Sequence, residues 1–403
     1  MSDVKNIPDG WLETTLADVV SKLGDGLHGT PKYSDDGDYY FINGNNLNEG
    51  KIQIKQDTKR CSIEEYEKYK KNLNSRTILV SINGSLGYFA YYNNEKCFLG
   101  KSACYFNVKE IFSKNFIGYQ VQTNYFQKYI ARLAGGTTIK NVSLKTMREY
   151  PFIIPKNIEE QKAIADILTA FDDKIENLQA QNKTLETIAQ TIFKEWFGKY
   201  QIGDELPEEW RVGKLGEVVK ICGGTTPSTK VSEYWDGEIN WTSPKDLSNS
   251  KEMFLLQTEK KITQEGLKKI SSGLLPIGTL LLSSRAPVGY LAIINIEVAI
   301  NQGYIALLPK QYFSNNYMYL WLDLFMKIVK NAANGSTFLE ISKSSFRNIE
   351  CIIPSKDILN KFEDVVNPIF NKILSNLSQI QTLKKTRDTL LPKLMNGTIR
   401  VKK

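Results

Sequence analysis

The stretch Ile167–Glu186, "ILTAFDDKIENLQAQNKTLE", and its relative Val365–Lys384, "VVNPIFNKILSNLSQIQTLK", decide the fold. Apolar residues recur in both at alternating steps of four and three, the heptad spacing of a seam that packs against a partner helix. The first seam comprises Ile164, Leu168, Phe171, Ile175, Leu178, Asn182, Leu185, Ala189, Ile192 and Trp196. The second comprises Phe362, Val366, Ile369, Ile373, Asn376, Ile380, Leu383, Arg387, Leu390 and Leu394. An Asn within such a seam costs stability but fixes register and partner choice.

The chain is a sequence duplication. Trp11 and Trp210 are separated by 210 − 11 = 199 positions, and Pro155 and Pro354 by 354 − 155 = 199. The strand-like runs "TILVSI" from Thr77 and "TLLLSS" from Thr279 are 202 positions apart, and the seams match at 198. This predicts globular domains at 1–157 and 199–356, each followed by a helix, at 158–198 and 357–397, with a tail at 398–403.

The natural partner of each predicted helix is the other copy. About 35 helical residues make a rod of roughly 50 Å, which is marginal alone and needs packing along its apolar stripe. If a pseudo-twofold relates the copies, the rods pair as an antiparallel coiled coil. The alternative is that each rod mediates self-dimerisation. Pro368 predicts a bend in the second rod, or the start of its regular part, because an interior proline kinks a helix.

Each globular half predicts a mixed α/β domain, so the fold class is α+β. β-branched and aromatic runs such as "DYYFING" and "TLLLSSRAPVGYLAII" are typical of strands. The stretches "FIGYQVQTNYFQKYIARLA" and "YMYLWLDLFMKIVKNAA" each predict one amphipathic helix.

Composition excludes several classes of protein. The 403 residues are 41% hydrophobic and 24% charged, a globular balance, without an apolar run long enough to span a bilayer or a signal-peptide core. We therefore expect a cytoplasmic protein. Five scattered cysteines and one histidine, His28, indicate neither a disulfide framework nor a metal site. The net charge of +8 is a mild indication of a polyanionic partner.

The loops between the predicted strands are rich in side chains that suit base edges and phosphates. Arg and Lys favour guanine, Asn and Gln favour adenine, and hydroxyl groups are versatile. The candidates in the first half are Asn43, Asn45, Asn46, Ser81, Asn83, Lys101, Thr137, Thr138 and Lys140. Those in the second half are Thr225, Thr226, Lys230, Thr242, Ser243, Lys245, Ser284, Arg285, Asn301, Gln302, Ser336, Thr337 and Lys343. The alternative for any one of them is an ordinary turn former.

Catalytic motifs are missing from the sequence. There is no dinucleotide or phosphate-binding glycine loop, no HExxH and no GxSxG. "NPIF" at Asn367 is close to the NPPF-type signature of amino-methyltransferases, but it lies on a heptad-patterned helix and we interpret it as coincidence. The chain therefore has the pattern of a reader rather than a catalyst.

The duplicated plan resembles the specificity subunit of type I restriction–modification systems. The resemblance rests on "GGTTPST", "EYWDGEINWTSPKDL", "LLSSRAPVG", "INQG", the "IIP" exits and the long helices, and it covers nearly the whole chain. The first half departs from it, with "GDGLHGTPKYSDDGDYYFINGNNL" where the second half has the Trp-rich run. Its contact residues are accordingly less closely defined.

The resemblance implies two target recognition domains, each reading one half of an asymmetric bipartite site in double-stranded DNA. It further implies that the helices form an antiparallel coiled coil that sets an unread spacer and docks two modification subunits. Those subunits would carry S-adenosylmethionine and methylate adenine, and restriction and translocase subunits can join them. This chain would bind no cofactor or metal, contact no membrane and catalyse nothing. Two alternatives remain: a coiled-coil structural adaptor with protein-binding heads, and an enzyme of unknown type.

Overall fold

The computed structural model describes residues 7–136, 138–250, 252–285, 287–309, 312–334 and 339–401. Its internal contacts divide the chain into two units. Unit 1 joins the residues up to Ile175 with those from Leu383 onward, and unit 2 is Glu176–Thr382. Each unit mixes sheets with helices, so the fold class is α+β, as predicted. Both long helices contribute one part to each unit.

Unit 1 contains the first globular half. Its strands are β1 (Trp11–Thr15), β2 (Val20–Asp25), β3 (Tyr39–Ile42), β4 (Leu47–Asn48), β5 (Lys51–Ile52), β6 (Arg60–Cys61), β7 (Thr77–Ser81), β8 (Phe89–Tyr91), β9 (Cys97–Leu99), β10 (Ala103–Val108) and β11 (Pro151–Pro155). Its short helices are α1 (Leu16–Val19), α2 (Ile63–Tyr69), α3 (Lys114–Gln120), α4 (Asn124–Leu133) and α5 (Leu144–Arg148), with a 3₁₀ turn at Gly44–Asn46. The long helix α6 spans Ile158–Phe193 and continues as a π-helical turn, Lys194–Gly198.

Unit 2 contains the second globular half. Its strands are β12 (Arg211–Lys214), β13 (Ile221–Cys222), β14 (Trp235–Thr242), β15 (Phe254–Leu255), β16 (Lys260–Ile262), β17 (Leu280–Ser283), β18 (Leu291–Ile294), β19 (Ala299–Ile300), β20 (Tyr304–Leu307) and β21 (Glu350–Ile353). Its helices are α7 (Leu215–Val218), α8 (Pro244–Ser250), α9 (Gln264–Leu267), α10 (Asn315–Leu324), α11 (Met326–Asn331) and α12 (Lys343–Arg347), with a 3₁₀ turn at Ser232–Tyr234. The long helix α13 spans Lys356–Met395.

The duplication is visible in the sheets. The main sheet has the order β2-β10-β7-β8 in unit 1 and β13-β20-β17-β18-β15 in unit 2. Strands β7 and β17 are central and every residue in them is buried, which is why "TILVS" and "LLLS" are continuous apolar runs rather than alternating ones. The first strand of each half pairs antiparallel with the last, β1 with β11 and β12 with β21.

The prediction of one amphipathic helix in each half is wrong in detail. In unit 1 the stretch is divided into α3 and α4, because the Thr123 side chain accepts a hydrogen bond from the backbone N–H of Phe126 and caps a second helix. In unit 2 it is divided into α10 and α11 at Phe325, whose ψ of 20° leaves the helical range. Periodicity alone does not distinguish a capped break from a continuous helix.

The helical segments run antiparallel within each unit, as predicted. In unit 1 Arg387 Nη1 lies 2.6 Å from Asp172 Oδ1, and Arg400 Nε lies 2.7 Å from Glu160 Oε1. In unit 2 Asn376 Nδ2 donates to Asn182 Oδ1 at 2.8 Å, so the Asn residues of the two seams meet. In unit 2 the ring of Phe362 also lies 5.8 Å from that of Phe193. The partners of α6 therefore occur in reverse order along α13 and the residues that follow it, in unit 1 as in unit 2.

The predicted seam is correct at twelve of its twenty positions, which are buried, and the other eight are half-buried. Ile192 and Trp196 are only half-buried, and Phe193 and Phe197 are buried instead. Phe193 precedes the π-helical turn, and the wider turn places Phe197, four residues later, on the buried side in place of Trp196. In α13, Phe370 is buried and Ile369 half-buried. Five further seam positions are half-buried: Phe171, Leu185, Leu383, Arg387 and Leu390.

Pro368 does not begin the regular part of the second rod. Helix α13 starts at Lys356 and is continuous through Pro368, which is exposed. The neighbouring Asn367 of the "NPIF" stretch lies on this helix and its Oδ1 accepts a hydrogen bond from Asn316 Nδ2 at 2.6 Å. Asn367 therefore joins α13 to α10 within unit 2. None of the helices described is long and apolar enough to cross a membrane.

Candidate nucleic-acid interface

Loops that are distant in sequence meet at an open cavity in unit 2. The cavity has a volume of about 400 Å³. Ser243 and Lys245 reach it from the end of β14 and the start of α8, Arg285 from the loop after β17, and Asn301 from the turn after β19. Pro244, Ser248, Tyr290 and Gly303 complete its lining. The structure therefore brings together four candidates that the sequence places almost 60 residues apart (301 − 243 = 58).

Buried polar groups hold the cavity wall in place. Asp246 Oδ2 accepts a hydrogen bond from the backbone N–H of Ser243 at 2.9 Å. The hydroxyl groups of Thr242 and Tyr304 are 3.2 Å apart and buried. Burial raises the pKa of Tyr304 above its ordinary value, so this phenol stays a neutral hydrogen-bonding group at neutral pH. Thr242 thus supports the wall from behind rather than facing the cavity.

The charged residues at the cavity have acidic neighbours. Arg285 Nη1 lies 3.8 Å from Glu340 Oε1, and Lys245 Nζ lies 3.1 Å from Glu259 Oε2. Lys343, at the start of α12, is exposed and has no ion-pair partner among the described residues. Lys343 does not line the cavity, so unit 2 offers a polyanion restrained cations at the cavity and an unrestrained one outside its lining.

Unit 1 has an equivalent cluster of loops. Ser102 Oγ accepts from the backbone N–H of Gly44 at 2.8 Å and donates to Asn43 Oδ1 at 2.9 Å. Asn83 Nδ2 lies 3.4 Å from Asn141 Oδ1, and the backbone carbonyl of Lys140 accepts from Gly84 at 2.9 Å. The backbone N–H of Ile82 donates to the carbonyl of Ser102 at 3.0 Å, so the loops around residues 43, 83, 102 and 140 meet within unit 1.

The loop after the central strand is built the same way in both units. Ser81 Oγ accepts from the backbone N–H of Tyr88 at 2.9 Å, and Ser283 Oγ accepts from that of Tyr290 at 2.7 Å. Both serines are fully buried. A buried serine thus closes the loop in each unit.

The structure separates the candidates by exposure. Four are buried and serve the fold: Asn46, Ser81, Thr242 and Ser284. Six are half-buried: Asn43, Asn83, Thr225, Ser243, Arg285 and Asn301. Nine are exposed: Asn45, Lys101, Thr138, Lys140, Thr226, Lys230, Lys245, Gln302 and Lys343. Thr137, Ser336 and Thr337 lie outside the described residues.

The buried candidates illustrate why composition overcounts contact residues. Asn46 Nδ2 donates to the backbone carbonyl of Gln53 at 3.0 Å and to Thr58 Oγ1 at 3.1 Å, so its amide shapes the turn. Thr225, although half-buried, donates to the carbonyl of Lys269 at 2.7 Å. Asn, Ser and Thr readily hydrogen-bond nearby backbone, and sequence alone does not show which of them do.

Sequence reasoning missed some residues at the loop clusters. Tyr290 and Ser248 line the cavity of unit 2, Glu340 faces Arg285, and Asn141 faces Asn83. One signal was available, because the dipeptide Gly-Tyr recurs at Tyr88 and Tyr290, 202 positions apart like the strands before it. No comparable spacing signal identifies Glu340, whose contact with Arg285 is made by the fold.

The fold and the repeated loop cluster define a class of protein: a chain of two α+β units with an internal repeat and a long helix after each globular half. The family model described as type I restriction modification DNA specificity domain matches twice, at residues 8–187 and 207–392. The chain belongs to this family and is a non-catalytic specificity subunit of a type I restriction–modification system.

Individual relatives are similar over most of the chain. The type I restriction enzyme MjaIX specificity subunit of Methanocaldococcus jannaschii is 27% identical, over 99% of this chain and 96% of that protein. The HindI specificity subunit of Haemophilus influenzae is 28% identical, over 69% and 74% respectively. The solved structure of a type I restriction–modification S subunit from M. genitalium has a TM-score of 0.59 at 21% identity, covering 98% of each chain, and supports the fold.

Proposed function

We propose that each globular half reads one half of a bipartite site in double-stranded DNA, and that the two half-sites differ. The observation that carries the proposal is the cluster of polar loops present in both units but furnished with different residues. Arg285 occupies in unit 2 the position that Asn83 occupies in unit 1, since 285 − 83 = 202, the offset of the central strands. A duplicated reader whose copies have diverged is suited to an asymmetric site, whereas identical copies in a symmetric dimer are confined to palindromes.

We further propose that α6 and α13 act as the spacer and the docking site for two modification subunits. Those partners would carry S-adenosylmethionine and methylate adenine, and restriction and translocase subunits would join the assembly. The support is the heptad pattern, the antiparallel pairing within each unit and the names of the relatives. This chain would supply recognition, and its partners the chemistry.

Methylation mapping tests the recognition proposal. The chain is co-expressed with its modification subunit, and modified adenines are located across the host genome. The expected result is one asymmetric motif of two defined parts separated by unread positions. A palindromic motif, or adenine methylation that does not depend on this chain, would instead favour a structural adaptor without DNA specificity. Mass measurement of the purified complex should give two modification subunits for each copy of this chain.

Helix insertion tests the spacer proposal. One heptad inserted at matching points of α6 and α13 lengthens each helix by about 10 Å. The unread spacer should then grow by about three base pairs, at roughly 3.4 Å per pair. The matched control is the same insertion in α6 alone, which breaks the pairing of the seams and should abolish methylation. An unchanged spacer in the doubly extended protein would refute the spacer proposal.

A further inference from the structure

One pair of side chains occupies the same structural position in both units but differs in chemistry. In unit 1 a backbone bridge joins Asn83 to Asn141, and in unit 2 the same kind of antiparallel bridge joins Arg285 to Glu340. A second bridge flanks each of them, from Gly135 to Asn141 and from Asn334 to Glu340. Asn83 and Arg285 are each the second residue after the buried serine that closes the loop.

The side chains across each bridge face one another. Asn83 Nδ2 lies 3.4 Å from Asn141 Oδ1, so unit 1 presents a neutral pair of amides. Arg285 Nη1 lies 3.8 Å from Glu340 Oε1, so unit 2 presents a cation restrained by a carboxylate. The Arg285 side chain is 37% exposed, which leaves part of its guanidinium open to the cavity.

The carboxylate beside Arg285 argues against a phosphate contact. A phosphate approaching Arg285 would also approach Glu340, and like charges at a few ångströms repel. The edge of a base carries no net charge, so Glu340 repels it far less than it repels a phosphate. Arginine has five N–H donors in a fixed fork, and two of them match the N7 and O6 acceptors of guanine. Lys343 in unit 2 and Lys140 in unit 1 are exposed without an ion-pair partner among the described residues, and they suit phosphates better.

The amide pair in unit 1 has the chemistry for a different base. An Asn side chain offers one donor and one acceptor side by side, which matches N7 and N6 of adenine. Asn141 holds Asn83 across the bridge much as Glu340 holds Arg285. Both positions are half-buried, so the fold restrains each side chain while leaving it accessible.

We propose that Arg285, oriented by Glu340, reads a guanine in one half-site and that Asn83, oriented by Asn141, reads an adenine at the corresponding place in the other. The inference rests on the proposed function and names the residues and bases through which the two halves differ. Arg285 and Asn83 are specificity-determining residues in this scheme, and Glu340 and Asn141 are positioning residues.

The test exchanges the pairs between the units. The variant Arg285→Asn with Glu340→Asn is co-expressed with the modification subunit and its motif is mapped. Preference for guanine should fall about 10- to 100-fold at a single position of one half-site, with adenine favoured there instead, because one bidentate contact discriminates by about 1–3 kcal/mol. The reciprocal variant, Asn83→Arg with Asn141→Glu, should change one position in the other half-site.

Two matched variants separate base reading from charge. Arg285→Lys keeps the positive charge but loses the forked guanidinium, so it should weaken the preference for guanine at the same position of the half-site. Lys343→Ala removes a positive charge that we assign to a phosphate, so it should weaken binding equally on all sequences and reduce the salt slope by about one. Circular dichroism and co-purification with the modification subunit verify that each variant folds.

The outcomes distinguish this inference from the proposed function. If the unaltered protein directs methylation to no bipartite motif, the proposed function fails. If it does so but the Arg285 and Glu340 exchange lowers methylation uniformly without changing the motif, Arg285 holds a phosphate and only the inference fails. The inference alone also fails if neither half-site of the unaltered protein contains guanine.

Discussion

The helical seams of units 1 and 2 have different residue types at equivalent positions. In unit 1, Asp172 on α6 faces Arg387 on α13 at 2.6 Å and also accepts a hydrogen bond from the Tyr119 hydroxyl at 2.6 Å. The equivalent positions in unit 2, offset by 370 − 172 = 198 and 387 − 189 = 198, are Phe370 and Ala189, and both are buried. An ion pair in one copy is thus replaced by two buried apolar residues in the other.

The helical seam of unit 2 contains a cluster of aromatic rings. The ring of Phe362 lies 5.8 Å from that of Phe193 and 4.9 Å from that of Phe197. The ring of Tyr317 lies 5.1 Å from that of Phe193 and 5.1 Å from that of Phe197. Large buried rings dominate core energetics, and such contacts add to area burial. A partly exposed ion pair contributes far less, because desolvation and side-chain entropy offset the Coulomb attraction. The seam of unit 2 should therefore be the more stable. The seam of unit 1 should depend more on having opposite charges at the positions of Asp172 and Arg387.

The largest effect is expected from the aromatic cluster. Phe362→Ala should lower the free energy of unfolding of unit 2 by about 3–5 kcal/mol, because it leaves a cavity among the surrounding rings. Urea titration followed by helical circular dichroism measures the loss. The control is Ile188→Ala, since Ile188 is 42% exposed and its truncation should change stability by no more than about 0.5 kcal/mol. Equal losses of unfolding free energy in the two variants would show that the aromatic rings do not dominate the stability of the seam.

The buried Asn pair should respond with opposite signs to single and double substitution. Asn182→Leu alone leaves the buried amide of Asn376 without its partner and should cost about 1–3 kcal/mol. Asn182→Leu with Asn376→Leu replaces both polar groups by apolar ones and should restore or exceed the original stability. The same urea titration measures both, and analytical ultracentrifugation shows whether the double variant acquires new helix partners, as expected when a register-fixing polar pair is lost. Additive losses in the double variant would contradict the pairing.

The ion pair of unit 1 should have a smaller effect. Asp172→Ala should cost about 1–2 kcal/mol, since it removes the carboxylate partner of Arg387 and the acceptor of Tyr119 where both charges are partly exposed. A double-mutant cycle with Arg387→Ala isolates the pairwise part, expected to be about 1 kcal/mol. The apolar exchange Asp172→Phe with Arg387→Ala copies unit 2 and should be tolerated better than either single change. A coupling free energy near zero would mean that the attraction between Asp172 and Arg387 does not stabilise unit 1.

The smallest effect concerns pH. Burial, then the charges of Glu252 and Asp323, raise the pKa of Glu186 above its ordinary value, while burial also raises that of Asp323, which accepts a hydrogen bond from Gln190. The folded state then holds protons that the unfolded state has already lost, so unit 2 loses stability as pH rises above the unfolded pKa of about 4.3. Glu186→Gln removes that loss and should stabilise unit 2 by about 0.5 kcal/mol at pH 7 but not at pH 4.

Urea midpoints at pH 4 and pH 7 measure this difference. The control is Glu195→Gln, because Glu195 is exposed at the end of the same helical segment. An equal shift at both pH values would attribute the gain to helix propensity rather than to the raised pKa.

Much of the fold was predictable because the sequence contains an internal repeat. Offsets of 198, 199 and 202 positions predicted the repeat, and the heptad steps predicted the helices. The duplication, taken with a pseudo-twofold, predicted the antiparallel pairing that is seen within each unit. The break between α3 and α4 was not predictable from periodicity, since it depends on the Thr123 cap. Nor was the shift from Trp196 to Phe197 at the seam, because both are apolar and only the π-helical turn decides which is buried.

The candidate site shows the same division. Sequence supplied the residue types, and the fold decided their roles. It buried Asn46 within its own turn and Thr242 against Tyr304, and it brought Ser243, Arg285 and Asn301 to one cavity. Glu340 was not among the candidates because nothing in its local sequence marks it. Its importance arises from a backbone bridge between segments 55 positions apart (340 − 285 = 55).

The sequence by itself therefore determined the duplication, the α+β class and the two helices, since these follow from periodicity and repetition along the chain, while the resemblance of its motifs indicated the family. Only the tertiary structure decided which polar side chains face outward and which partner restrains each of them. The reason is physical: periodicity is a property of neighbours in sequence, whereas the satisfaction of a hydrogen-bonding group depends on whatever the fold places within about 3 Å of it.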